Sequence, residues 1–263
     1  MKKLLTLAAT ASTTAALLGA PTAAQAGLIG LYQFNDAAQL GLDTSGAGRD
    51  GTVSSSGADY SAAGYQGGAA SFSGGSVSVN LDVNASVLPK MSWGAWVKPT
   101  STRGYQTILS ADNGGYDREI TIDARGSGFN SWSAFTGTGV LSSYVTPSTT
   151  DWTFVAAVYD QVARLVTLYV DGVMTMTSTN FSPSFNFFQI GHNPGHGEAF
   201  TGLIDNVFVY DQALTSTEIA AIRANGFPAP VPEPASLALV GLGGVLALGV
   251  SRRQRRPQAA SLK

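Results

Sequence analysis

Short runs in which apolar and polar residues alternate, none longer than eight residues, recur along the middle of this chain with clusters of Gly, Ser, Asn and Asp between them. The runs cover 29–34, 70–72, 76–79, 91–97, 107–109, 119–123 and 132–135, then 153–159, 165–170, 173–177, 188–190 and 203–210. A period of two residues turns one side of a pleated strand into a core and the other outward, and about a dozen such strands predict an all-β, antiparallel β-sandwich. One hairpin is fixed by its turn: 165–170 and 173–177 are joined by Asp171 and Gly172, which tolerate the positive φ of a two-residue primed turn. Trp93 and Trp96 have opposite strand parity, so one is expected in the core and the other on the far surface of the sheet. One short C-terminal helix is expected from Ser216 to about Ala224, with Thr215 and Glu218 as a capping box and Gly226 as the stop. It should lie against an end of the sandwich.

The two ends of the chain obey a different logic. Met1-Lys2-Lys3, an apolar stretch from Leu4 to Gly19 and small residues at Ala24 and Ala26 make residues 1–26 a secretory signal peptide, with cleavage expected after Ala26. At the other end a Pro-rich linker, 227–234, holds Pro232-Glu233-Pro234. It precedes an apolar segment, 235–251, and a basic tail, 252–263, with Arg252, Arg253, Arg255 and Arg256. Arginines resist translocation, so a transmembrane helix is expected with its tail in the cytoplasm and the domain on the far side. The apolar run from Ala235 to Val250 rises only about 24 Å as a helix, against a hydrocarbon core of about 30 Å, which suits a transient anchor. The order of PEP, apolar helix and arginine cluster resembles the PEP-CTERM sorting signal of bacteria that make extracellular polysaccharide. The resemblance implies an exosortase-type membrane enzyme as processing partner, acting at the motif Pro232, Glu233 and Pro234. It also implies delivery to the cell surface or extracellular matrix.

Between the signals, 27–226 is long enough for one domain with a substantial core. It carries eight Lys and Arg against sixteen Asp and Glu, near −8, although the whole chain shows −2. A surface of that sign repels phosphate backbones, so nucleic acid is excluded as a partner. There is no cysteine, so neither disulfides nor thiol chemistry enter. His192 and His196 are separated by Asn193, Pro194 and Gly195, which rules out the helical spacing of a zinc-protease pair.

Six segments, LYQFN at 31–35, DTSGAGRDGT at 43–52, MSWGAWVKP at 91–99, DWTFVAAVYD at 151–160, LYVDG at 168–172 and FTGLIDNVFVYDQALTSTEIAAI at 200–222, resemble the laminin-G-like jelly-roll domains of the concanavalin A-like lectin and glucanase superfamily. The resemblance spans nearly all of 27–226. It implies a jelly roll of two curved antiparallel sheets, with first and last strands adjacent and frequently one calcium ion. It implies no substrate, because the scaffold serves lectins, adhesion modules and glycosidases alike.

Retaining glucanases on this scaffold align acid, helper and nucleophile along one strand as E-x-D-x-E or E-x-D-x-x-E. The best local candidate is Glu119-Ile120-Thr121-Ile122-Asp123, with Thr121 in place of the middle carboxylate and the shorter Asp123 in place of the second glutamate. Retaining hydrolysis needs two carboxyl groups about 5 to 5.5 Å apart. These residues therefore read as the solvent-facing side of an ordinary strand, and the chain as a non-enzyme. Carbohydrate binding fits better, since sugar faces stack on aromatic rings while Asp, Asn and His pair with hydroxyls. Candidate ligand residues are Asp112, Asn113 and Tyr116 in one loop, Trp132 beside Phe129 and Asn130 in a second, and His192, Asn193 and His196 in a third. Leu203, Asp205, Val207 and Val209 share one face of an uninterrupted final strand, and a carboxylate in an apolar row needs a partner. A structural Ca2+ held by Asp205, Asn35 and Asp36, or hydrogen bonds from a loop, would each supply one. The function classes are thus an exported glycan- or matrix-binding module, a structural surface or matrix protein without a small ligand, and, third, a glycoside hydrolase.

Overall fold

The computed structural model describes residues 27–180 and 183–227. The expected signal peptide and transmembrane segment, the PEP motif and the basic tail lie outside them. No helix among the described residues is long and apolar enough to cross a membrane. In chain order the elements are β1 (Leu28–Tyr32), β2 (Thr52–Val53), β3 (Ala58–Ser61), β4 (Ala69–Ser73), β5 (Val77–Val79), β6 (Lys90–Pro99), β7 (Gln106–Ser110) and β8 (Glu119–Asp123). There follow β9 (Ser131–Phe135), β10 (Val140–Ser142), β11 (Thr153–Asp160), β12 (Leu165–Val170), β13 (Val173–Ser178), β14 (Phe188–Ile190), β15 (Thr201–Tyr210) and α1 (Ser216–Asn225).

The strands form two antiparallel sheets. An eight-stranded sheet runs β13-β12-β11-β6-β15-β4-β3, with β1 also on β15, and a seven-stranded sheet runs β10-β9-β8-β7-β14-β5-β2. First and last strands pair as expected, Leu28 opposite Tyr210 and Tyr32 opposite Val207. The Asp171-Gly172 hairpin keeps unbroken register from Val170 opposite Val173 to Leu165 opposite Ser178. Both turn residues have positive φ, 48° and 91°. The sequence reading passed over β2, β3 and β10, which are short, lie at sheet edges and sit among Gly and Ser.

The alternation fills two cores. Trp93, Trp132, Tyr159, Phe188, Val97 and Leu168 interdigitate between the sheets. Trp96, Phe154, Phe208 and Tyr210 lie on the opposite face of the eight-stranded sheet with Ile219 and Ile222 of α1, so the two tryptophans divide as their parity predicts. The helix therefore covers the outer face of that sheet, not an end of the sandwich. The reason is that Phe154, Phe208 and Tyr210 leave an apolar stripe there, and burying each large side chain is worth about 1.5–3 kcal/mol. Its ends are built as read, with a reciprocal Thr215–Glu218 box and the Gly226 amide on the Ile222 carbonyl. Both cores close within residues 27–227, so this stretch carries its own fold.

The final strand differs from its sequence pattern in one place. The register against β6 shifts between Asp205 and Phe208, and Asn206 takes φ 51°. This bulge reverses the parity: Ile204, Val207 and Val209 face the inter-sheet core, whereas Asp205 stands opposite Trp96 on the outer side. Asp205 is thus not in one row with Val207 and Val209.

Candidate functional site

The two outer faces differ in kind. That of the seven-stranded sheet is polar: Thr107 opposite Thr121, Ser110 opposite Glu119, Thr121 opposite Ser133, Asp123 opposite Ser131. Glu119 and Asp123 are fully buried, which corrects the expectation that they face solvent. Alternation tells which face a residue occupies and is silent on what lies over it. Over Asp123 the cover is Arg125, which bonds Asp123 through Nε at 2.7 Å and Glu198 at 3.3 Å. Its guanidinium lies 4.2 Å from the ring centre of Tyr105, 5.2 Å from Phe135 and 5.6 Å from Tyr116. Against the penalty of burial, the hydrogen bond and charge of Asp123 raise the Arg125 pKa, so the charge is permanent.

At the other end of β8 Glu119 accepts from Thr107 Oγ1 at 2.9 Å, Ser110 Oγ at 2.7 Å and Asn193 Nδ2 at 2.9 Å. Burial pushes its carboxyl well above the ordinary range, and the Ser110 and Thr107 hydroxyls oppose that shift. Asn193 is the hub of the site. Its amide nitrogen also reaches Asp112 Oδ2 at 3.2 Å, and its carbonyl accepts from the amides of Gly195 and His196 at 2.8 and 3.2 Å. The 111–118 loop is closed by Asp112 Oδ1, which accepts from the amides of Gly114 and Asp117. The two loops touch so closely that a Cβ on Gly195 would stand 2.7 Å from the Asp112 carbonyl oxygen. His196 Nε2 lies 3.6 Å from Asp112 Oδ2 with half of its side chain in solvent.

The structure thus brings Asp112, Asn113, Tyr116, Asn193 and His196 to one rim. Asp112 is buried and shapes the loop, whereas Asn113, Tyr116 and His196 are exposed. His192 is half-buried and bonds Gln189. Trp132 does not belong with them. It is fully buried between the sheets opposite Ile122, an inward-facing position, so it packs and touches no ligand. Sequence reading missed Tyr105, Arg125 and Glu198 as parts of the site. They come from three separate loops, and no local motif links them.

The other candidate centre surrounds Asp205. Its Oδ2 accepts from the Gln66 amide at 2.9 Å, while Oδ1 is buried without a well-formed hydrogen bond. Burial raises its pKa to about 6, against the pull of the Gln66, Asn206 and Tyr65 amides. Asn35 is directed to the same loop, accepting from the Gly68 amide at 2.8 Å, and Asp36 is exposed and accepts from Ala38. Among the described residues no three His, Cys, Asp or Glu side chains converge as a metal-binding group. The fit to a cation is therefore partial, with the Asp205 carboxylate facing backbone amides and the side chains of Asn35 and Asp36 already engaged.

Two packed antiparallel sheets, with a knit loop rim over the polar outer face of one, define a sandwich domain of the lectin and laminin-G kind. The chain belongs to the concanavalin A-like lectin/glucanases superfamily, whose laminin-G-type family model matches residues 73–220. A PEP-CTERM protein-sorting motif matches residues 230–256 and marks an exported protein. No curated protein matches the chain. Among solved structures, domain 4 of AbnA, a GH43 extracellular arabinanase from Geobacillus stearothermophilus, in complex with arabinotriose, is similar at TM-score 0.58 and 24% identity, over 74% of this chain and 97% of that one. The botulinum neurotoxin serotype D binding domain is similar at 0.56 and 16%, over 77% and 52%. The binding domain of Paraclostridial Mosquitocidal Protein 1 is similar at 0.58 and 15%, over 76% and 52%. At these identities the likeness is one of fold.

Proposed function

We propose that this protein is an exported surface or matrix module that binds carbohydrate at the rim of its seven-stranded sheet. The observation that carries the reading is the pairing of the 111–118 and 191–198 loops through Asn193, which holds Tyr116, Asn113 and His196 exposed beside Tyr105 and Arg125. Such a rim combines aromatic faces for stacking with fixed polar groups for hydroxyls. The complex of the similar arabinanase domain with arabinotriose supports the same ligand class. The strand pair read from the sequence lacks the geometry for hydrolysis: Glu119 and Asp123 are four residues apart on one strand, about 14 Å at ~3.4 Å per residue, beyond the separations that either glycosidase mechanism uses. Binding of residues 27–227 to a glycan array is the test. Tyr116→Ala and His196→Ala are each expected to weaken the best ligand by about tenfold, on the order of 1.4 kcal/mol. Unchanged binding in both variants would remove the rim from the account, and turnover of a glycan abolished by Glu119→Gln would replace binding with catalysis.

The tail gives the module its address. An exosortase-type enzyme is the partner the PEP-CTERM motif implies, acting after transient anchoring of 235–251 in the inner membrane. Deleting 232–263 is expected to abolish the membrane-bound intermediate in fractionated cells; an unchanged distribution would contradict this. Asp205 is the anchor proposed for a structural calcium ion, because one oxygen of this buried carboxylate has no well-formed hydrogen bond.

A further inference from the structure

The far side of β1 is covered by the 43–49 segment, which bonds Leu31 and Ile29, and the four remaining outer edges of the two sheets are unequal. The β2, β3 and β10 edges have two, four and three residues, and β3 carries Asp59. The fourth edge, β13, is six residues of Val-Met-Thr-Met-Thr-Ser with no charge, proline, glycine or bulge. Its side chains are open to solvent, Val173, Met174 and Met176 being 52%, 46% and 50% exposed. Natural sheets blunt long edges with lysine, proline, bulges or a covering element, because an open row of N–H and C=O groups is a template for another strand. Among the described residues none of these devices is present on β13.

Its backbone is aimed outward in a defined pattern. A two-residue hairpin closes with a pair that exchanges both backbone hydrogen bonds, here Val170 and Val173, and such pairs recur at every second residue. Val173, Thr175 and Thr177 therefore bond to β12, while the N–H and C=O groups of Met174, Met176 and Ser178 point away from the sheet. From this edge we infer that the protein forms a two-fold dimer in which β13 pairs antiparallel with β13 of a second copy, joining the two eight-stranded sheets. With the axis at Thr175, Met174 of one copy exchanges backbone hydrogen bonds with Met176 of the other, and the four methionines meet on the outer face.

Two observations favour a second copy as the occupant. The strand is uncharged in a domain near −8, so the seam joins acidic molecules where neither brings charge. Antiparallel pairing also sets Asp171, which lies 3.6 Å from Arg223 of its own copy, at the end of the seam where the other copy's Arg164 guanidinium donates to Asn180 Oδ1, so charges of both signs meet there and like charges do not face each other. An isologous contact of this kind closes on itself as a dimer instead of growing into a fibre.

The test uses the absence of cysteine from the chain. Residues 27–227 with Thr175→Cys place the new thiols in a non-hydrogen-bonded cross-strand pair, with Cα atoms about 4.5 Å apart, a separation that a disulfide accepts. Mild oxidation is expected to give a covalent dimer, and Val162→Cys, at a surface turn, is expected to give little. By sedimentation, Met174→Lys with Met176→Lys should weaken the dimer of the otherwise unmodified domain at least about tenfold, without change in the melting temperature measured at a dilution where both proteins are monomers. A domain that sediments as a monomer at its highest attainable concentration overturns the inference. So does a dimer that the lysines leave intact, or Thr175→Cys crosslinking no better than Val162→Cys.

Discussion

Replacing Arg118 with alanine is expected to lower folding stability by about 4 kcal/mol. Arg118 is 4% exposed, and its guanidinium donates to the Val83 carbonyl at 2.5 Å and the Leu88 carbonyl at 2.6 Å. It also lies 5.2 Å from the ring centre of Tyr159, whose hydroxyl donates to the Phe135 carbonyl. One side chain thus ties the crossing segment between β5 and β6 to the seven-stranded sheet. Burial lowers its pKa to about 10, with Tyr159 and Asp82 pulling the other way, so it is charged at neutral pH. Alanine leaves two buried carbonyls without donors and a cavity against Tyr159, two separate losses. Lysine keeps the charge but cannot direct a planar fork at both carbonyls, so about half the loss is expected. Urea unfolding of residues 27–227 gives the answer as a fall in midpoint at constant slope. A loss below about 1 kcal/mol, the range of a surface change, would contradict the clamp.

The second large effect is a step in stability with pH at Asp205. The folded carboxyl titrates near about 6 and the ordinary value is 3.8, so between the two the folded state alone keeps the proton. Stability therefore falls as pH rises through that window and levels off above it, the reverse of a salt-bridged aspartate. The full step corresponds to about 3 kcal/mol as an upper bound. Asp205→Asn is expected to abolish the step in chelator and to stabilise the domain at pH above about 6. Calcium would favour the ionised form, remove the step from the wild type and leave the asparagine variant unmoved. Melts that are the same with calcium and with chelator would leave the Gln66, Asn206 and Tyr65 amides as the carboxylate's partners and exclude the ion.

What the sequence made legible was local. Asp171-Gly172 dictated its hairpin because only a primed turn joins strands two residues apart, and Thr215 with Glu218 fixed the helix start for the same kind of reason. Parity separated Trp93 from Trp96. Parity failed at Asp205, where the bulge at Asn206 adds a residue that no pattern announces. The site was half visible. The loops bearing Asp112 and His196 stand out by composition, but the cover over Asp123 is assembled by Arg125 with Tyr105 and Tyr116 from distant loops. Trp132 looked like a loop aromatic because it borders a Gly-Ser stretch, whereas its strand pairing turns it inward.

The central claim is that the rim around Asn193 is the ligand-binding surface. Titration of isotope-labelled residues 27–227 with the best glycan from the array, followed by backbone amide shifts, tests it most directly. The account predicts saturable shifts at Asn113, Tyr116, Arg125 and His196, with little change at Tyr169 and Ile219 beneath the helix. Shifts confined to the helix-covered sheet, or no shifts with any glycan, would contradict it.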